Sequence, residues 1–260
     1  MAEMEYPLLE VSGLTKRFGG LTAVECVSFD LCKNEILALI GPNGAGKTTT
    51  FNMIAGSRPA TSGSVKLNGV ELLGKKPYEI ACEGVARTFQ ITAVFFGLSV
   101  FENVVIASHR LQKATMLESI FYAARYRREE REARQKAHEI LQFVGLDAHA
   151  DVIAGNLAYG QQRLLEIAIA LATDPTLVLL DEPAAGLNPE ETRSLMHLIG
   201  KIRESGITIL LVEHNMRLVM EISDRILVLD HGELIAEGCP DDIANNPVVI
   251  EAYLGKGVEE

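Results

Sequence analysis

Ile36-Leu37-Ala38-Leu39-Ile40-Gly41-Pro42-Asn43-Gly44-Ala45-Gly46-Lys47-Thr48-Thr49 is the stretch on which the reading of this chain turns. Its first five residues are uniformly apolar and stop at a glycine, the pattern of a strand buried on both faces, as in a parallel sheet. Gly41 to Thr48 then fits G-x-x-x-x-G-K-[ST] at every fixed position. Glycines let the backbone curl so that its N–H groups converge on anionic oxygens. The helix expected from here through Ala55 aims its positive end at the same point. Lys47 adds a point charge for β- and γ-phosphates, and the Thr48 hydroxyl is a hard ligand suited to Mg²⁺. A purely structural glycine turn is the plainer alternative. The strand before the loop and the helix-forming residues after it favour a nucleotide site.

Working outward, Leu177-Val178-Leu179-Leu180-Asp181-Glu182-Pro183 puts two carboxylates at the end of a second apolar strand. Ligands of open α/β sheets gather at that edge. Asp181 is suited to hold Mg²⁺, through water. Glu182, directed differently, is suited to polarise the water that attacks a γ-phosphate. Pro183 cannot continue a central ladder, so the strand stops there. A capping acid beside a surface acid is the bland reading, and the phosphate loop makes it the weaker one. His214 follows a third such run, Ile207 to Val212, where an imidazole can contact a γ-phosphate; taken alone, it is as readily structural. Gln90 in Arg87-Thr88-Phe89-Gln90 offers an amide oxygen to a Mg²⁺ shell, yet by itself is only a polar residue after a strand.

The remaining segments give an α/β order with one interruption. Leu8 to Val11 and Ala23 to Leu31 read as strands joined at Gly19-Gly20, and Asn68-Gly69 marks a tight hairpin within Ser64 to Leu73. Ser99 to Val144 is helical in character, with Glu130–Arg134 and Glu132–Lys136 placed as i,i+4 ion pairs. Its mixed charges favour a solvated face over a basic surface for phosphates or lipid headgroups. A helix is expected from Gln161 to Ala172. Another begins at Asn188-Pro189-Glu190-Glu191, with Asn188 as N-cap and Glu191 completing a capping box. Arg225 to Leu229 reads as a fourth buried strand, and Asn246-Pro247 opens a terminal helix ending near Leu254.

Bulk properties narrow the class. A net charge of −11 over 260 residues argues against broad attraction to a nucleic-acid backbone. Cys26, Cys32, Cys82 and Cys239 form no CxxC pair, so free thiols are expected. The acidic start of the chain carries no apolar run of signal-peptide type, and no apolar stretch approaches the roughly 18 residues of a membrane span.

Together these residues resemble the nucleotide-binding subunits of ABC transporters, over nearly the whole chain. The resemblance implies a P-loop NTPase α/β fold with a mainly parallel sheet core, an N-terminal antiparallel β subdomain and an inserted α-helical subdomain. It divides one domain, residues 1–260, into a core of about 1–90 and 161–245, a helical insertion of 91–160, and a C-terminal helix and tail of 246–260. It implies that Phe18 stacks on adenine, and that Gly41 through Thr49 and Gln90 contact ATP. Thr48, Gln90 and Asp181 then hold Mg²⁺, with Glu182 and His214 as the catalytic acid and switch histidine. Gly186-Leu187-Asn188 falls at the dimer-contact loop, where the family more often ends on aspartate.

The family's signature, Leu-Ser-Gly-Gly-Gln, aligns with Leu157-Ala158-Tyr159-Gly160-Gln161. Ala158 lacks the hydroxyl that normally reaches a γ-phosphate across the dimer, and Tyr159 is bulky where glycine is usual. That variant is similar to the ATP-binding subunits of branched-chain amino-acid importers, as are the helical insertion, the run from Asp181 to Pro189 and the closing Ala252-Tyr253-Leu254-Gly255. The resemblance implies transmembrane permeases and a second ATP-binding subunit as partners, a different subunit being expected and a homodimer left open. It also implies an extracytoplasmic solute-binding protein acting indirectly, no nucleic acid, and a peripheral place on the cytoplasmic face of the membrane. Unequal ATP sites follow where only one subunit carries the full signature. Urea or amide import and a soluble ATPase acting on nucleic acid or ribosomes are the alternatives, the latter disfavoured by acidity and by a single P-loop. An isolated module without turnover is disfavoured by Lys47, Asp181, Glu182 and His214 occurring together.

Overall fold

The computed structural model describes residues 7–88, 94–109 and 123–254. The chain divides into two compact units, one built from residues up to Val85 and from Thr176 onward, the other from Ala86–Pro175.

In the first unit, β1 (Leu9–Phe18) and β2 (Leu21–Leu31) form an antiparallel pair, and β4 (Ser62–Leu67) and β5 (Val70–Glu71) form a hairpin. Among the described residues these strands make a sheet of order β2-β1-β4-β5. The hairpin turns at Asn68 and Gly69, both with positive φ (48° and 78°), as a two-residue turn of that sequence requires.

The second sheet contains β3 (Ile36–Ile40), β7 (Leu177–Asp181), β8 (Thr208–Val212), β9 (Arg225–Asp230), β10 (Glu233–Gly238) and, where the chain leaves the unit, β6 (Val85–Arg87). Its order is β10-β9-β3-β8-β7-β6. Strand β3 runs parallel to β8 and β9, β7 runs parallel to β8, and β10 is antiparallel to β9. Side chains alternate between the two faces. Leu37, Leu39, Leu210, Val212, Leu227 and Leu229 join Phe51, Met53 and the inner face of the antiparallel sheet in one core. Ala38, Ile40, Ile226 and Val228 face the other way, against Val219, Ile243 and Val249. Both faces are covered, which is why these strands read as unbroken apolar runs.

Helix α1 (Lys47–Ile54) follows β3, and α2 (Pro77–Cys82) precedes β6. Asn188 caps the later Pro189–Glu204 helix as expected, accepting from Glu190 and Glu191 N–H at 2.9 and 3.0 Å while Glu191 bonds back to Asn188 N–H. Arg225 gathers the sheet edges. It holds Glu35 through two bonds of 2.8 and 3.2 Å, the Asp30 carbonyl at 2.6 Å, and Glu237.

The second unit packs three helices, α3 (Val100–His109), α4 (Ala123–Val144) and α5 (Tyr159–Leu171), around Val100, Val104, Ala137, Leu141, Leu165 and Ala168. Helix α5 begins at Tyr159 rather than the expected Gln161, and it packs with α3 and α4 in this unit. The Glu130–Arg134 pair forms at 2.8 Å. The expected Glu132–Lys136 pair does not. Glu132 takes Arg128 at 2.8 Å, while Lys136 reaches Asp174 at 2.5 Å and the Ala172 carbonyl at 3.1 Å, capping the end of α5. Cys26, Cys32, Cys82 and Cys239 form no disulfide among the described residues.

Candidate active site

Sheet register brings the chemistry together. Leu39 on β3 pairs with Val212 on β8, which pairs with Asp181 on β7, so all three strands end on one level. The loop after β3, the acids after β7 and the histidine after β8 therefore emerge side by side.

Gly41 opens the first loop at φ +148°, where a Cβ would lie 2.0 Å from the Leu229 carbonyl oxygen, so only glycine fits. Gly46 closes it in the left-handed region (φ 101°, ψ −2°) as N-cap of α1. No side chain caps that helix and none of its first-turn residues is acidic, which leaves its leading N–H groups for an external anion. The buried Lys47 ammonium donates to the Gly41 and Pro42 carbonyls at 2.7 and 2.9 Å. Burial pulls its pKa below the ordinary lysine value, and the nearby Glu182 charge works against that pull. Asn43, Gly44 and Thr48 are exposed, Thr49 is half-buried, and Ala45 is packed below.

Asp181 is the last, buried residue of β7. Glu182 leaves the strand in a left-handed conformation (φ 50°) unusual for a non-glycine residue, its N–H bonded to the Val212 carbonyl at 2.8 Å. That turn brings Oε1 of Glu182 to 3.0 Å from Nε2 of His214. The two residues picked separately from the sequence are thus a contacting pair. Phe18, at the end of β1, is 38% exposed, with the Lys16 ammonium and the Arg58 guanidinium 5.1 and 5.2 Å from its ring centre. Gln90 lies outside the described residues.

In the helical unit, Leu157 is buried and Ala158 is the N-cap of α5, with its N–H donated to Oε1 of Gln161 at 3.1 Å. Gln161 also contacts Nε2 of His149 at 3.0 Å. Gly160 is partly buried. The Tyr159 ring is 47% exposed beneath the Arg163 guanidinium, 4.7 Å from its centre, and its hydroxyl accepts from Arg163.

Two residues escaped the sequence reading. Tyr253, on the terminal helix Pro247–Leu254, is bonded to the Gly41 backbone; burial raises its phenol pKa, and that bond opposes the rise. The other is Glu213, a buried carboxylate between the apolar β8 and His214. Only its place beside a motif residue hinted at it.

A family model described as "ABC transporter" matches residues 24–185. The chain belongs to the ABC transporter family. A second model, "branched-chain amino acid ATP-binding cassette transporter", matches residues 233–259. The high-affinity branched-chain amino acid transport ATP-binding proteins BraF of Pseudomonas aeruginosa and LivG of Escherichia coli K12 are each 48% identical over 254 residues, 97% of this chain and 100% of theirs. Among solved structures, the ADP conformation of the ATP-binding cassette MJ1267 superposes with a TM-score of 0.83 at 31% identity, covering 96% of this chain and 100% of that one. A dimeric post-hydrolysis state of the cassette MJ0796, bound to ADP and phosphate, gives 0.75 at 25%, covering 89% and 98%. As an ABC ATPase, this chain binds nucleotide and couples ATP hydrolysis to transport. Subunits of this family dimerise and work with membrane permeases. Among the described residues no helix is long and apolar enough to cross a membrane.

Proposed function

We propose that this chain powers the import of branched-chain amino acids by binding Mg·ATP between its own phosphate loop and the signature of a second ATP-binding subunit. It acts from the cytoplasmic face, held there peripherally by permease subunits. The observation that carries the reading is that β3, β7 and β8 end on one level, so that the Lys47 loop, the Asp181-Glu182 pair and the His214 loop leave neighbouring strand ends, with Glu182 and His214 in contact at 3.0 Å. The solute assignment rests on the likeness to BraF and LivG.

The residues present fit Mg·ATP. The curl at Gly46 has no room for a Cβ, Lys47 is a buried cation, and the exposed Thr48 hydroxyl and the Asp181 carboxylate are the hard oxygens a magnesium ion takes. When bound, Mg²⁺ neutralises charge on the β- and γ-phosphates. The protein's share is binding and orientation. Lys47 turns from the Gly41 and Pro42 carbonyls toward phosphate oxygens, Phe18 stacks on adenine, and Glu182 accepts a proton from the attacking water while His214 holds that carboxylate. The permease docks on the helical unit. A cavity of about 510 Å³ lined by Leu98, Phe101, Val105, Ile106 and Arg134 supports that surface. Because Ala158 brings no hydroxyl, a partner that carries the full signature has the ATP on its own loop hydrolysed less readily than the ATP on this chain.

Titration of the full chain with Mg·ATP, followed by phosphate release, tests the reading. Lys47→Ala is expected to weaken affinity by roughly 10-fold or more, the worth of one or two hydrogen bonds to a charged group. Glu182→Gln is expected to keep ATP bound while turnover falls about 10²- to 10⁴-fold, the range of a general base. Unchanged affinity in Lys47→Ala overturns the proposal. Uptake of leucine by vesicles carrying the assembled transporter tests the solute, and uptake of urea instead would redirect it.

A further inference from the structure

Glu213 lies just past the end of β8, 3% exposed, and its carboxylate meets three backbone N–H groups. Oε1 accepts from Ala184 at 2.7 Å; Oε2 accepts from His214 at 2.9 Å and from Asn215 at 3.1 Å. Both β7 and β8 have ended at this point, so these N–H groups have no ladder left to join. Ala184 stands two residues beyond Glu182, whose own N–H is bonded to the Val212 carbonyl. The bonds therefore close a ring, running from Glu182 through its turn to Ala184, across Glu213 to His214, and back through the imidazole to Glu182.

We propose that Glu213 is a positioning residue: its buried carboxylate clamps the turn after Glu182 and the loop of His214 into one bracket, which fixes the two side chains relative to each other during hydrolysis. This rests on Glu182 and His214 acting as proposed above. The chemistry singles out a carboxylate. An ionised carboxylate only accepts, and all three groups facing Glu213 are donors. Glutamine has the same shape but sets an NH₂ against at least one N–H. The left-handed turn at Glu182 has to be held by its surroundings, and Glu213 is the side chain that reaches its far end.

The test uses the full chain, with steady-state phosphate release across ATP concentrations, Mg·ATP affinity by equilibrium titration, and thermal unfolding. The variants are Glu213→Gln, His214→Ala, the two combined, and Glu182→Gln. Glu213→Gln is expected to lower kcat about 10- to 100-fold, the effect of misplacing a reacting group by a fraction of an ångström to 1 Å, with ATP affinity kept within about twofold. The combined variant is expected to be no slower than His214→Ala by more than about twofold, because the two residues serve one device. A glutamate of purely structural role would instead raise KM, lower Tm and multiply its loss with that of His214→Ala. Full kcat in Glu213→Gln, or multiplying losses, overturns the proposal while leaving the hydrolysis reading intact. Full turnover in Glu182→Gln overturns both. Glu213→Asp keeps an acceptor-only group withdrawn by one methylene. If Glu213→Gln folds poorly, Glu213→Asp is expected to show a smaller fall in kcat at unchanged affinity, and full kcat there rejects the clamp.

Discussion

Ala158→Ser is the perturbation whose outcome the structure specifies most closely. Residue 158 already has the extended backbone of an N-cap (φ −61°, ψ 154°), and Gln161 already reaches back to its N–H at 3.1 Å. Half of a capping box is therefore built, and the missing half is an oxygen on residue 158 to accept the N–H of Gln161. Residue 158 is exposed, so an added hydroxyl meets no packing penalty. Replacing a serine cap by alanine typically costs about 1 kcal/mol, and the substitution here runs in reverse. For a chain of this size, about 1 kcal/mol corresponds to roughly 2–4 °C in Tm. Thermal unfolding followed by circular dichroism is expected to show that rise. A Tm that stays put or falls would refute the cap geometry assigned to α5. In the assembled transporter the same substitution is expected to raise hydrolysis of the ATP on the partner's loop. A raised Tm without that gain would separate helix capping from catalysis and reject the unequal-site reading.

Other perturbations have equally definite signs. Gly46→Ala places a Cβ 2.6 Å from the Ala23 carbonyl at a φ of +101°; a loss of about 1–3 kcal/mol in stability and weaker ATP binding are expected, measurable by denaturant titration and nucleotide titration. Burial pushes the Glu71 carboxyl up, but bonds from the Ser64 hydroxyl and the Val65 and Leu73 N–H groups outweigh it and hold its pKa below the ordinary 4.5. Because the folded value is the lower one, its stabilisation is complete above the unfolded pKa and disappears as pH falls through the folded one. Glu71→Gln is expected to cost about 1 kcal/mol at neutral pH, with the gap to the native chain closing on acidification below 4.5 in urea melts. Arg225→Met is expected to lose about 1–3 kcal/mol by stranding Glu35, and Arg225→Lys to recover less than half, since an ammonium cannot repeat the two-pronged grip.

The parts of this molecule legible in the sequence are those where local pattern and three-dimensional role coincide. Ile36–Ile40, Leu177–Asp181 and Thr208–Val212 are buried on both faces and read as unbroken apolar runs; Asn68-Gly69 and Asn188-Pro189 carry their turn and cap in adjacent residues. What stayed hidden depends on distant partners. Strand β10 is a half-buried edge whose Glu233–Gly238 sequence has no clean alternation, and β6 is only three residues long. Lys136 chose Asp174 over Glu132 because α4 packs beside the end of α5, a contact no helical spacing reveals. Glu213 belongs to no motif in the sequence; its meaning comes from Ala184, brought to it by sheet register. Phe18 is implied by the family resemblance, and Glu182 and His214 follow two separate strand runs in the sequence; the cations over the ring and the 3.0 Å contact come from the fold.

The order β3-β8-β7 also works as a ruler. Hydrogen-bonded strands sit about 4.8 Å apart whatever their side chains, so the ends of β3 and β7 stand two ladder steps, roughly 10 Å, from each other by backbone geometry alone. Substitutions on the outer helices can alter what the molecule docks against without rescaling that span. Surface recognition and the reach across a triphosphate are thereby free to change independently.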